Sequence, residues 1–169
     1  NNADGMLGDE ITIAETFKAA GYSTGAFGKW HLGDYGEYLP TNQGFDYFYG
    51  SHHVNDMTPF YHVSEENGEY EIVHGIDEMF VDGKKDQSKL SEWIHEEITD
   101  WITDKVTNSD EPFFAYYATP WPHGPVFAGN DFDGTTGMGT YVDCVTEFDY
   151  YLGELFNTLE NLGVMDDTI

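Results

Sequence analysis

Apolar residues recur three and four positions apart at Leu90, Trp93, Ile94, Ile98, Trp101, Ile102 and Val106, and this spacing predicts an amphipathic helix over about 89–107. A second helix is predicted over about 141–162, where Tyr141, Val142, Val145, Phe148, Leu152, Leu155, Phe156, Leu159 and Leu162 keep the same period and Gly163 stops it. Thr12-Ile13-Ala14-Glu15 has the form of a capping box, so a shorter helix over 12–20 ends at Gly21. Between these helices the pattern changes. Tyr22 to Phe27 reads as a short strand, and the unbroken apolar run from Phe113 to Ala118 suits a buried strand. From Asp34 to about Lys85 the chain is rich in Gly, Tyr, Phe, His and Asn, with one short strand expected at 70–73.

Helix, strand and loop, repeated and followed by a further helix, is the order of an α/β protein with a mostly parallel sheet flanked by helices. In such folds ligands bind outside the carboxyl ends of the strands. Two histidine-bearing loops fall there: Gly28-Lys29-Trp30-His31-Leu32-Gly33 after the first strand, and 119–125, with His123, after the apolar run.

Composition narrows the chemistry. With 169 residues, 40% of them hydrophobic and 17% aromatic, the chain is long enough for one core. No apolar run approaches the roughly 20 residues that span a bilayer. The balance of six Lys against 32 Asp and Glu gives a net charge of −26. Such a surface repels polyanions, which excludes nucleic acid as a partner, and its acids are scattered in the manner of a solvated, salt-tolerant surface. The single cysteine, Cys144, has no Lys, Arg or His near it in sequence to lower its pKa and reads as a buried helix residue.

Several motifs fail on inspection. His95-Glu96-Glu97-Ile98-Thr99 begins like a zinc-protease helix but has Thr99 where the second imidazole should stand. The stretch from Asp131 to Thr136 begins like a calcium loop, yet Thr136 replaces the turn glycine and Val142 the bidentate acid. His52, His53 and His62 could form a metal cluster, but adjacent side chains diverge in extended chain, and polar loop histidines are the simpler reading.

Lys29, His31 and His123 remain. Between Gly28 and Trp30 at a strand's end, Lys29 would be partly desolvated and would want an anion; equally, it could snorkel to solvent or pair with Asp34. In an extended loop residues 29 and 31 point to one side, so ammonium and imidazole would converge. Pro122 and Pro125 hold the course of the loop at His123, a second cation-capable group at a second strand end. Together the three suggest a pocket for a tetrahedral anion.

The stretch from Gly21 to Gly33 closely resembles a signature of the sulfatase family, and 12–20 resembles the helix that precedes it. The likeness continues from Asn42-Gln43-Gly44-Phe45-Asp46 to Gly50, from Glu111-Pro112-Phe113-Phe114 to Tyr117, through Pro122-His123-Gly124-Pro125, and from Phe148-Asp149 to the end. The resemblance implies an alkaline-phosphatase-like α/β fold and hydrolysis of sulfate esters by a formylglycine nucleophile beside a calcium ion. It implies that Lys29 binds a sulfate oxygen, that His31 hydrogen-bonds the formylglycine hydroxyl, and that His123 contacts the sulfate or protonates the leaving alcohol. The partner would be a sulfated small molecule or sulfated polysaccharide, met in the periplasm or outside the cell.

Departures from the family pattern accompany the likeness. The Cys-x-Pro-x-Arg motif that yields formylglycine is absent, as are the family's aspartate pair and Asp-Asn pair that hold the metal. Val54 stands where many arylsulfatases have a serine. Residues 1–169 are therefore expected to be a central piece of one sulfatase catalytic domain, inactive alone, with calcium and formylglycine supplied from outside it. A phosphodiesterase or phosphonate hydrolase of the same superfamily, and a non-catalytic binder of sulfated glycans, are the competing expectations.

Overall fold

A computed structural model describes residues 5–75, 80–81 and 84–169. Residues 1–4, 76–79 and 82–83 lie outside the described residues. The elements run α1 (Ile13–Ala19), β1 (Ser23–Lys29), β2 (Tyr47–Ser51), β3 (His62–Glu66), β4 (Glu69–His74), β5 (Phe80–Val81), β6 (Lys84–Lys85), α2 (Leu90–Asn108), β7 (Phe113–Ala118) and α3 (Thr140–Asn161). Five strands form one sheet in the order β4-β3-β2-β1-β7, while β5 and β6 pair separately. β1 is parallel to both its neighbours, and the hairpin of β3 and β4 is antiparallel.

The sheet is covered on both faces. Phe27 and Tyr49 point to the face on which Ile94, Ile98, Trp101 and Ile102 of α2 pack with Leu155 and Leu159 of α3. Ala26, Phe48 and Val63 alternate to the opposite face and meet Ala14 of α1 with Trp30 and Phe45. Helix α1 starts as its sequence requires: Thr12 Oγ accepts from the Glu15 N–H at 3.0 Å and the Glu15 carboxylate accepts from the Thr12 N–H at 2.7 Å.

Two expectations change. Within the described residues β7 is an edge strand, partly exposed along its length with Tyr116 at 47%, rather than a buried strand. β1 runs two residues further than predicted, so Lys29 ends the strand instead of opening the loop. The glycines beside it make this extension possible. Gly28 has φ +111°, and a Cβ there would stand 2.0 Å from the Ala118 carbonyl oxygen; one on Gly50, at φ +146°, would stand 1.9 Å from the Gly28 oxygen. These two glycines are paired in register, and Gly28 is paired with Ala118 on its other side. Only bare backbone lets the three strand ends approach so closely.

Candidate active site

The carboxyl ends of β1, β2 and β7 carry Lys29, Ser51 and Ala118, and the loops that follow them meet above the sheet. Lys29 is half-buried. Of the four lysines with described side chains, Lys18 pairs with Asp46, Lys89 with Glu92 and Lys105 with Asp104. Lys29 has no carboxylate at ion-pair distance among the described residues. Asp34, its nearest candidate in sequence, is held instead by His53 Nε2 at 2.9 Å.

His31 does not lie in extended chain. Its φ is +59°, in the left-handed region, where a residue with a Cβ pays roughly 1–2 kcal/mol. Backbone bonds hold it there: the Trp30 N–H donates to the Ser51 oxygen and the His31 N–H to the His52 oxygen, each at 3.0 Å. The buried Trp30 is tied in turn through its indole N–H to the Tyr38 carbonyl at 2.9 Å. The turn corrects the expected alternation of residues 29 and 31, yet the two groups still converge. The His31 pKa is lowered by partial burial first, then by the positive charge of Lys29, His53 and His123, with Asp56 pulling the other way.

His123 is exposed, and its Nδ1 lies 2.7 Å from the Gly124 carbonyl oxygen. A carbonyl only accepts, so Nδ1 carries a proton and Nε2 is the atom free to take up or release one. Asn55, two residues beyond His53, clasps this loop by donating from Nδ2 to the Pro125 oxygen at 2.8 Å.

The three histidines of the rejected metal cluster part company. His52 is buried against Glu65 at 2.7 Å, and Glu65 also accepts from the Thr41 N–H and hydroxyl. His62 is fully buried and stays neutral, its pKa pushed down to about 3 by burial and by His74. His53 alone turns to the site. Reading Tyr47–Ser51 as a strand paired with β1 would have revealed it, because His53 then follows a strand end in register with Lys29.

Among the described residues no group of three or more His, Cys, Asp or Glu could hold a metal ion. The calcium-loop look-alike is a turn organised from within: Gly134 N–H and both the N–H and hydroxyl of Thr136 donate to Asp143. Cys144 is buried in α3, and burial with the neighbouring acids pushes its thiol up to about 12, so it offers no precursor for a nucleophile. The described residues therefore fit neither calcium nor formylglycine. What they bring together is one lysine and three histidines.

A family model for sulfatases matches residues 4–169. The chain belongs to the sulfatase family. This sulfatase chain is similar to mouse N-acetylgalactosamine-6-sulfatase, with 32% identity over 97% of this chain and 32% of the relative. It is also similar to an N-acetylgalactosamine-6-O-sulfatase of Bacteroides thetaiotaomicron, with 31% identity over 94% of this chain and 41% of the relative. The crystal structure of a Pseudoalteromonas sulfatase superposes with a TM-score of 0.82 at 21% identity, covering 96% of this chain and 37% of that one. At that identity the likeness shows the fold. The chain thus spans about a third of the mouse relative's length.

The electrostatics of this cluster can be checked without turnover. Replacing Lys29 with Met removes a neighbouring positive charge that disfavours imidazolium, so the His31 pKa should rise toward its usual 6.5. Histidine ring resonances followed by NMR through a pH titration would show the rise. An unmoved His31 would mean that the two groups do not face each other.

Proposed function

We propose that the full-length protein hydrolyses sulfate esters of sugars, and that residues 1–169 contribute the cationic side of its active site. The observation that carries this reading is Lys29, unpaired with any described carboxylate in a chain of net charge −26, and gathered with His53 and His123 around His31 closely enough for all three to act on its charge. An ammonium so placed needs an external anion, and a tetrahedral sulfate presents several oxygens to a lysine and several imidazoles at once. The named relatives, which act on N-acetylgalactosamine 6-sulfate as their names state, support a sulfated hexosamine or a polysaccharide containing one. Formylglycine and calcium are proposed to come from parts of the polypeptide outside residues 1–169. They would supply the attack on sulfur and further neutralisation of its oxygens.

The tasks of the present residues follow from their surroundings. Lys29 neutralises a sulfate oxygen as negative charge shifts in the transition state. His31, whose imidazolium form is disfavoured first by burial and then by nearby positive charge, can accept a hydrogen bond from a hydroxyl at the reacting centre. His123, with Nε2 free, can deliver a proton to the departing sugar oxygen. His53 is steadied by Asp34 at the edge of the cluster, within reach of His31 electrostatically.

Parallel assays of the full-length protein with an aryl sulfate and the matching aryl phosphate test the proposal. Sulfate turnover should exceed phosphate turnover. The reverse order would assign the site to phosphoryl transfer, and no turnover of either would make it a binding site.

A further inference from the structure

Glu147 lies in α3, away from the cluster around Lys29, and is 1% exposed. An uncompensated carboxylate at such a position costs several kcal/mol, so its partners call for an account. Its Oε2 accepts from the Gly129 N–H at 3.1 Å, and the Ser91 hydroxyl of α2 hydrogen-bonds to it. The same hydroxyl oxygen accepts from the Trp121 indole N–H at 2.9 Å. A hydroxyl has one proton, so Ser91 receives from the indole and gives to the carboxylate. The relay has one direction, from Trp121 through Ser91 to Glu147.

Trp121 and Gly129 bracket the segment that carries His123. One carboxylate therefore holds both ends of that loop, directly at Gly129 and through Ser91 at Trp121. Packing reinforces the hold, because Trp121 is buried with Phe60, Leu90, Ala128 and Cys144. A Cβ at position 129 would come within 2.7 Å of Glu147 Oε1, so the contact leaves no room for slack. From the other side Asn55 holds Pro125, and Gln87 holds Asn55 by accepting from its Nδ2 and donating to its backbone oxygen.

We propose that Glu147 is a positioning residue, which fixes the loop between Trp121 and Gly129 so that His123 faces Lys29 and His31. The catalytic consequence rests on the reading of His123 as the group that protonates the leaving alcohol. Burial pushes Glu147 up to about 7, while the bonds from Gly129 and Ser91 pull the other way by favouring the carboxylate form.

The test uses the full-length protein with Glu147→Leu, Glu147→Gln and Trp121→Phe, the last keeping the packing and removing only the indole N–H. Two substrates are compared: a sugar sulfate, whose alkoxide needs a proton, and an activated aryl sulfate, whose phenolate leaves unaided. Trp121→Phe and Glu147→Leu should each lower kcat on the sugar sulfate by roughly 10-fold or more, with KM and aryl sulfate turnover little changed. Glu147→Gln, which keeps one acceptor oxygen, should recover part of the loss. In a His123→Ala background Glu147→Leu should add nothing further. Equal losses on both substrates, or additive losses with His123→Ala, would overturn the positioning role. The His123 ring resonance separates this inference from the proposed function. A resonance shifted by Trp121→Phe, with no leaving-group dependence in His123→Ala, would keep the positioning role and remove the acid role. A resonance unmoved by all three variants would end the inference.

Discussion

Replacing Lys29 with Ala in the full-length protein is expected to lower sulfate-ester turnover by at least about 100-fold, a loss of about 2.7 kcal/mol of transition-state stabilisation. The size follows from what surrounds the ammonium. Asp34 is engaged by His53, no other described carboxylate reaches Lys29, and its charge is felt by His31. With no internal counter-ion, the charge is available in full to a bound anion, and in a half-buried setting it is screened less than a surface charge. Arg in its place should recover only part of the activity, because a planar guanidinium cannot take the compact position of an ammonium between the strand ends. Steady-state kcat/KM on an aryl sulfate measures both variants. A loss of only a few-fold for Lys29→Ala would show that the ammonium does not touch the reacting group.

The largest expected effect on stability belongs to the residue before it. Gly28→Ala places a methyl group 2.0 Å from the Ala118 carbonyl oxygen, at a φ of +111° that side-chain-bearing residues rarely adopt. Relieving the clash means separating β1 from β7, and retaining the backbone angle means accepting strain. Either route costs on the order of 1–3 kcal/mol, and together they should lower the unfolding free energy by about 3 kcal/mol or more. Urea unfolding of the full-length protein reads the difference directly. Stability within about 1 kcal/mol of the parent would mean that the strand ends are not packed as closely as described.

Much of the fold could be read from periodicity. Helices α2 and α3 each bury one stripe, so Ile94, Ile98 and Trp101, and Leu155 and Leu159, appear at the spacing that their packing requires. β2 and β3 escaped the same reading for a physical reason. β2 is short and ends in Gly50 and Ser51, while β3 buries His62 and Glu65, so polar residues occupy positions where alternation should show apolar ones. Glu65 is inside because His52 and Thr41 satisfy its oxygens, a contact between residues far apart in sequence. The site followed the same division. Lys29, His31 and His123 stood out as scarce cation-capable groups at predicted strand ends, whereas His53 depended on the missing strand. Glu147 was hidden among 32 acidic residues, and burial, which it shares with Glu65 and Asp143, sets it apart from most of the others.

The two rims of the sheet are chemically unlike. Along β4 the exposed Glu69 and Glu71 guard the open backbone groups with negative charge, a feature that discourages another strand from pairing. Beside β7 the run of Phe, Ala and Tyr borders an open, mostly apolar trough of about 650 Å³, lined by Ile98, Ile102, Phe113, Leu155 and Leu159, with Asp110, Glu111 and Asp167 also in its lining. Among the described residues the sheet is therefore asymmetric in charge, with carboxylates along β4 and an apolar hollow beside β7. The cationic cluster stands nearer the second of these edges, because the loop that carries His123 follows β7.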